Sequence, residues 1–381
     1  MKNLACMALT GIGLVLGACG GGGGNTGMPS ASTAVSIAET AMNAESEPAE
    51  LDLNVRDFAA YVARAPQAWQ DIVGPINNAR ATLGLILFYD TRLSSNNEVS
   101  CASCHAQQAA FSDARENNST SEGVNGRTGK NSLQLTNVAM HPGGRMFWDE
   151  RAEHLIDQAD NPIVDSTEMN ETFPALLVEL GETDFYEALF INAFEDIPGN
   201  NITRERLQEA IAEFEKTLLS FSSPFDTGTM TAQAEAGQLL YNANNNECRH
   251  CHGRAEPGAT FNMVENAGIA AGGGIGEFPQ RIDIGLEQDD VQTTSFKVSS
   301  LRNVAVTAPF THVGQLETLR DVMDFYASVP GLEPVNRSTT DPRVLNIRLT
   351  PAERDDLIAF LEALTDQDFL SNPLFASPFN D

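Results

Sequence analysis

The sequence predicts a mainly α-helical protein made of two similar helical units in tandem. Three observations predict it. The run C-x-x-C-H occurs twice, as Cys101-Ala102-Ser103-Cys104-His105 and as Cys248-Arg249-His250-Cys251-His252. A similar helical face closes shortly before each run: Leu83-Gly84-Leu85-Ile86-Leu87-Phe88-Tyr89 before the first and Ala236-Gly237-Gln238-Leu239-Leu240-Tyr241 before the second. Strand signals are sparse along the chain.

The amino terminus is read first. Lys2 gives a positive start, Met7 to Leu16 is a short apolar core, and Leu16-Gly17-Ala18 precedes Cys19. This pattern predicts a secretory signal over 1–18. A Cys directly after such a site matches the bacterial lipobox and makes Cys19 the lipidated first residue. The alternative is an ordinary signal with an incidental Cys. The apolar run is too short for a stable membrane span, so the membrane is reached only through a lipid anchor. Export to the periplasm is expected. Gly20 after Cys19 lacks the Asp that marks inner-membrane retention, which favours the outer membrane. Residues 19–50, rich in Gly, Ala, Ser and Glu, read as a flexible tether.

The charge is strongly acidic, 23 Lys+Arg against 52 Asp+Glu. This argues against nucleic acid as a partner. It suits steering of a basic redox partner, or simply solubility of an exported protein.

The first unit is assigned to 51–225. Leu83 to Tyr89 forms its leading helix. C-x-x-C-H follows, and each position has a role in c-type haem attachment. Cys101 and Cys104 form thioethers, and His105 supplies the proximal iron ligand. Two rival readings exist. A zinc site pools four cysteines but needs no His directly after each pair. A redox Cys pair needs no His either. Thr203 to Phe221 carries Leu207, Ile211, Phe214 and Leu218 at helical spacing. Ser223-Pro224-Phe225-Asp226 then breaks the pattern, and the boundary is placed there.

The second unit is assigned to 226–381. Gly237 to Tyr241 repeats the leading helix. Cys248, Cys251 and His252 repeat the attachment set. Thr350-Pro351-Ala352-Glu353 reads as a capping box with Pro at the first helical position. Leu357, Phe360, Leu361 and Leu364 follow on one face as the closing helix. The expected class is therefore mainly α, with two cytochrome c-like haem domains in tandem and two covalent haems c.

From about Leu83 to Leu364 the chain resembles the bacterial di-haem cytochrome c peroxidases, in the branch that includes MauG. Leu87-Phe88-Tyr89-Asp90-Thr91-Arg92-Leu93-Ser94 leads into the first haem motif as in that family. Phe147-Trp148-Asp149-Glu150-Arg151-Ala152 is similar to the family's F-W-D-G-R-A. Gln158 and Glu168 stand ten and twenty residues after Trp148. Ser300-Leu301-Arg302-Asn303-Val304 and Thr307-Ala308-Pro309-Phe310-Thr311-His312-Val313-Gly314 resemble L-R-N-V and T-x-P-Y-x-H-D-G.

The resemblance implies roles. Trp148 carries electrons between the haems, where the plainer reading is core packing. Gln158 and Glu168 occupy the distal pocket of the first haem. Glu168 has a chemical reason to be there, because breaking peroxide heterolytically needs a base that takes a proton and returns it. Its plainer reading is a surface Glu. A calcium ion between the haems takes the Asn131 side chain and the carbonyls of Thr307 and Pro309, and hard oxygen donors suit it. Tyr326, fourteen residues after His312, occupies the sixth-ligand position of the second haem, where better-known peroxidases carry Met. A phenolate favours ferric and higher states, and a packed core Tyr is the alternative. No His occurs from Ala106 to Lys130. Many relatives carry a blocking ligand there. This chain has instead a polar, flexible stretch, Asn117 to Gly123, so an open first haem is expected. His141 reads as a turn or surface residue.

The expected activity is reduction of hydrogen peroxide to water with electrons from a small c-type cytochrome or cupredoxin. Two rivals stand beside it. One is oxidation of Tyr or Trp side chains on a partner protein. The other is a non-enzymatic dihaem electron-transfer cytochrome. Relatives are often dimers, so the resemblance extends to a homodimer.

Overall fold

In a computed structural model, residues 51–113, 120–141, 143–195, 201–244, 246–256, 281–282, 296–328 and 343–379 are described. The predicted signal and tether, with Cys19, lie outside the described residues, as do Asn117 to Ser119. The fold is mainly helical. Regular strands among the described residues are confined to two antiparallel pairs of two residues each. Glu122–Gly123 pairs with Gly126–Arg127, and Arg281–Ile282 pairs with Phe296–Lys297. Glu50–Asp381 forms one compact unit.

The first leading helix runs Asn78–Tyr89, with the Asn77 side chain accepting from the Arg80 N–H. Residues Ala81 to Phe88 are all buried, so this is a core helix rather than an amphipathic one. It crosses helix Arg204–Glu215 at Gly84. A Cβ at Gly84 would lie 1.9 Å from the Ala210 carbonyl oxygen and 2.8 Å from the Phe214 Cβ. The second leading helix, Ala232–Asn242, crosses closing helix Pro351–Glu362 in the same way. A Cβ at Gly237 would lie 2.0 Å from the Asp356 carbonyl oxygen and 2.8 Å from the Phe360 Cβ. The repeated glycine thus permits main chain to meet main chain at both crossings. The predicted capping box is present, with Thr350 N–H and Oγ1 both 2.8 Å from Glu353 Oε2.

Around the first crossing Phe58, Phe88, Phe111 and Phe214 pack edge to face. Phe369 and Phe375 complete this core. They come from the chain's last segment, which passes the second closing helix and returns. Tyr89 Oη donates to the Phe375 carbonyl at 2.9 Å, and Arg56 Nη1 to that of Ala376 at 2.7 Å. The second core gathers Phe225, Tyr241, Val304, Met323, Leu357, Phe360, Leu361 and Leu364.

Asn303 lies at the seam between the halves, next to Arg302, which anchors the start of the second unit. Arg302 is fully buried, and its Nη2 donates to Asp226 Oδ1 at 2.8 Å. Asn303 Nδ2 donates to Ser220 Oγ at 3.1 Å, while its Oδ1 accepts from the Asp366 N–H at 2.7 Å.

Two local expectations change. The helix predicted over Thr203–Phe221 ends at Glu215. Thr217 Oγ1 takes the Phe214 carbonyl, and the Leu218 carbonyl accepts from Asn137 N–H instead of continuing the helix. Ser223 to Asp226 is more than a break. Pro224–Thr227 is a short helix whose Ser223 and Asp226 form a capping box.

Candidate haem sites

Helix Cys101–Cys104 begins with Ser100 and Ser103 in a reciprocal cap. It presents Cys101, Cys104 and His105 to a cavity of about 520 Å³, within the range of cofactor pockets. The His105 imidazole Nδ1 lies 2.8 Å from the Phe111 carbonyl. That contact fixes the tautomer and leaves Nε2 for a metal. Burial holds the imidazole below its ordinary range, partly opposed by the Phe111 carbonyl. The neutral ring is the form that ligates iron. The donor set therefore fits haem.

Asn131, Trp148, Gln158 and Glu168 line the same cavity. Glu168 is half-buried. Burial and then the Asp165 carboxylate push its carboxyl above the ordinary range, while Arg151 opposes them. Gln158 ends the short helix Leu155–Gln158. Trp148 donates its Nε1–H to the Asn131 carbonyl at 2.7 Å, and its ring meets His312 and Phe296 edge to face.

Asn131 and Pro309, distant in sequence, are brought together. Asn131 Nδ2 is 2.6 Å from the Pro309 carbonyl and 3.3 Å from that of Thr311. Thr307 lies in the same turn, across the cis Ala308–Pro309 bond. The Asn131 amide thus donates to the Pro309 and Thr311 carbonyls.

The cavity residues His141, Lys297 and Glu215, and the buried Glu150 beside His141, were misplaced or missed by the sequence reading. His141 sits in a turn but is not at the surface. It is 6 % exposed, and its Nε2 lies 3.5 Å from Glu150 Oε1. Glu150, where the family motif has Gly, is buried at φ 58. Lys297 Nζ donates to the Arg145 carbonyl at 3.0 Å. Burial pushes its ammonium down to about 8, with the Glu150 carboxylate opposing. Glu215 is buried, and its carboxyl is pushed up by burial to about 8. Its Oε2 has no hydrogen-bond partner among the described residues. The signal for Glu215 was available, as a charged residue four after Ile211 on an apolar stripe.

The stretch expected to be flexible is ordered from Ser121 to Thr128. It forms a hairpin that leans on the Glu168 segment. Val124 N–H donates to the Glu168 carbonyl at 2.7 Å, and Asn125 Nδ2 to that of Ser166 at 2.7 Å.

At the second site, helix Cys248–His252 presents the other attachment set. His252 Nδ1 lies 3.2 Å from the Ser299 carbonyl, the same device as at His105. Burial lowers this imidazole to about 4. Tyr326, on helix Leu319–Ser328, shares an apolar cluster with Cys248. Burial pushes its phenol above the ordinary range, and the thiols of Cys251 and Cys248 add to the effect. Tyr326 thus faces the second attachment site. Among the described residues no helix is long and apolar enough to cross a membrane.

Two attachment sites in a tandem helical body, one of them opening on a cavity, define a di-haem c-type redox protein. The family described as "Di-haem cytochrome c peroxidase" matches residues 78–235. The chain is 31% identical over 360 residues to methylamine utilization protein MauG of Paracoccus denitrificans, covering 77% of this chain and 90% of that one. It is 30% identical over 346 residues to cytochrome c551 peroxidase of Nitrosomonas europaea, covering 87% and 94%. The crystal structure of a MauG-like protein associated with microbial copper homeostasis superposes with a TM-score of 0.69 at 27% identity, covering 83% and 96%. The chain belongs to the di-haem cytochrome c peroxidase/MauG family.

Proposed function

We propose that the chain is a peroxidase that reduces hydrogen peroxide to two waters, consuming two electrons and two protons. The observation that carries this reading is the convergence of Glu168, Gln158 and Trp148 on the cavity that receives Cys101, Cys104 and His105. When bound, haem supplies the iron at which the O–O bond breaks. Glu168 takes the proton of the inner peroxide oxygen on its carboxylate and returns it to the outer, leaving oxygen. Its raised pKa, due first to burial, brings it toward that two-way task. Gln158 orients the peroxide through its carboxamide. His105 is held neutral and fixed by the Phe111 carbonyl. Trp148 couples the two halves, and its indole is oriented by the Asn131 carbonyl.

His252 and Tyr326 serve the second site, which receives electrons from a small c-type cytochrome or cupredoxin. Support for Tyr326 as a ligand is its place in one apolar cluster with Cys248. Support for calcium is the approach of Asn131 to the Pro309 carbonyl, with Thr307 in the same turn. The protein acts in the periplasm, held by lipid on Cys19. Electron paramagnetic resonance of the resting ferric protein tests the open site. One high-spin and one low-spin signal are expected, with peroxide consuming the high-spin one. Two low-spin signals would sink it.

A second reading is favoured by one observation, the Tyr at position 326 together with the MauG relatives. There the electron donor is a Tyr or Trp side chain of a partner protein. Negligible turnover of a reduced small cytochrome with peroxide selects this reading over the first.

A further inference from the structure

We infer that the hairpin Glu122–Arg127 is a positioning element that fixes Glu168 in the cavity that would receive the first haem, with Gly123 as its critical residue. This rests on the reading of Glu168 as the proton-transferring base. Three contacts carry it. Gly123 packs directly on the Glu168 backbone: a Cβ there would lie 2.1 Å from the Thr167 carbonyl oxygen, 2.5 Å from that of Glu168 and 2.7 Å from the Glu168 Cα. Val124 N–H holds the Glu168 carbonyl at 2.7 Å. Asn125 Nδ2 holds the Ser166 carbonyl at 2.7 Å.

The other end of the hairpin is tied to the haem side. The Glu122 carbonyl lies 3.9 Å from Cys104 Sγ, and the hydroxyls of Ser121 and Ser132 are 2.5 Å apart. The Ser132 and Glu168 segments, which both line the cavity, are therefore joined through the hairpin and the residue before it. Gly123 has an ordinary backbone conformation, so the requirement for glycine here is space and not φ. The atoms it meets are main-chain atoms, which have no rotamer by which to retreat. Any side chain at this position must push the Glu168 backbone away or move the hairpin. Such a shift matters because displacing a reacting group by about 1 Å can cost about 10²-fold in rate.

Cyanide association with the ferric holoprotein reads the base without turnover. Cyanide arrives as HCN and must leave its proton on a base before its carbon binds iron. The association rate is measured across pH for wild type, Glu168→Gln and Gly123→Ala. Gly181→Ala is the control, since a Cβ there meets nothing within 4 Å. Wild type is expected to show an inflection from Glu168, and Glu168→Gln to lose both the inflection and about 10²-fold in rate. Gly123→Ala is expected to lose roughly tenfold or more with the inflection displaced, while its Soret band matches that of the control. If Glu168→Gln behaves as wild type, the base reading fails. If Glu168→Gln responds and Gly123→Ala keeps the wild-type rate and inflection, the hairpin inference alone is overturned. Should Gly123→Ala not fold, Asn125→Ala removes one tie from an exposed position. A displaced inflection there supports the inference, and an unchanged profile overturns it.

Discussion

The Trp148 indole Nε1 donates to the main-chain carbonyl of Asn131 at 2.7 Å. Asn131 uses its other polar groups across the seam: its N–H donates to the His312 carbonyl at 2.8 Å and its side chain reaches Pro309. Trp148→Phe keeps an aromatic ring, though a smaller one, and removes the donor, leaving the Asn131 carbonyl without its partner. A loss of about 1–3 kcal/mol is expected by chemical denaturation. Electron exchange between the halves should slow, as followed by absorbance after rapid reduction of the second haem. An unchanged exchange rate would remove Trp148 from the path.

Gly84→Ala and Gly237→Ala each drive a Cβ to within about 2 Å of a carbonyl on the crossing helix. Overpacking of this kind costs about 1–3 kcal/mol, occasionally more. Gly181→Ala, in the open on helix Phe173–Glu182, should instead gain up to about 1 kcal/mol. Equal denaturation midpoints for the three variants would contradict the crossing geometry.

Glu215 makes stability fall with pH. Burial pushes its carboxyl from the ordinary 4.5 up to about 8. Between those values the folded state keeps a proton that the unfolded state has released, so stability decreases as pH rises through the window. Glu215→Gln removes the titration. The variant should gain on wild type from pH 5 to pH 8, by an amount on the order of a few kcal/mol. Parallel midpoint curves for the two proteins would refute it.

Glu150 occupies left-handed backbone at φ 58 without being glycine. Glu150→Ala and Glu150→Gly both remove the carboxylate beside His141, but only Ala keeps the backbone cost. The Gly variant should therefore be the more stable of the two by about 1 kcal/mol. If Ala is the more stable, the strain at this turn is negligible.

Much of this was legible in local patterns. The attachment sets, the Thr350–Glu353 cap and the helical faces around Gly84 and Gly237 are written within a few residues. Trp148, Gln158 and Glu168 were readable through family spacing, and the cavity gathers them. What escaped depends on contacts between segments far apart. Nothing near Lys297 announces that its amine will meet the Arg145 carbonyl. Glu122 and Gly123, at the end of that polar stretch, read as mobile because their contacts lie with the distant Thr167–Glu168 backbone. Helix Arg204–Glu215 stops short of Phe221 because Leu218 is claimed by Asn137.

The two glycine crossings fix how closely each pair of helices can approach. At each, the spacing between leading and closing helix is set by carbonyl against α-carbon, where no side chain can swell or shrink the gap. The backbone is thus the ruler for the packing of both helix pairs. Exposed positions on these helices, such as Leu239, can change freely with the spacing of the helix pair carried over intact.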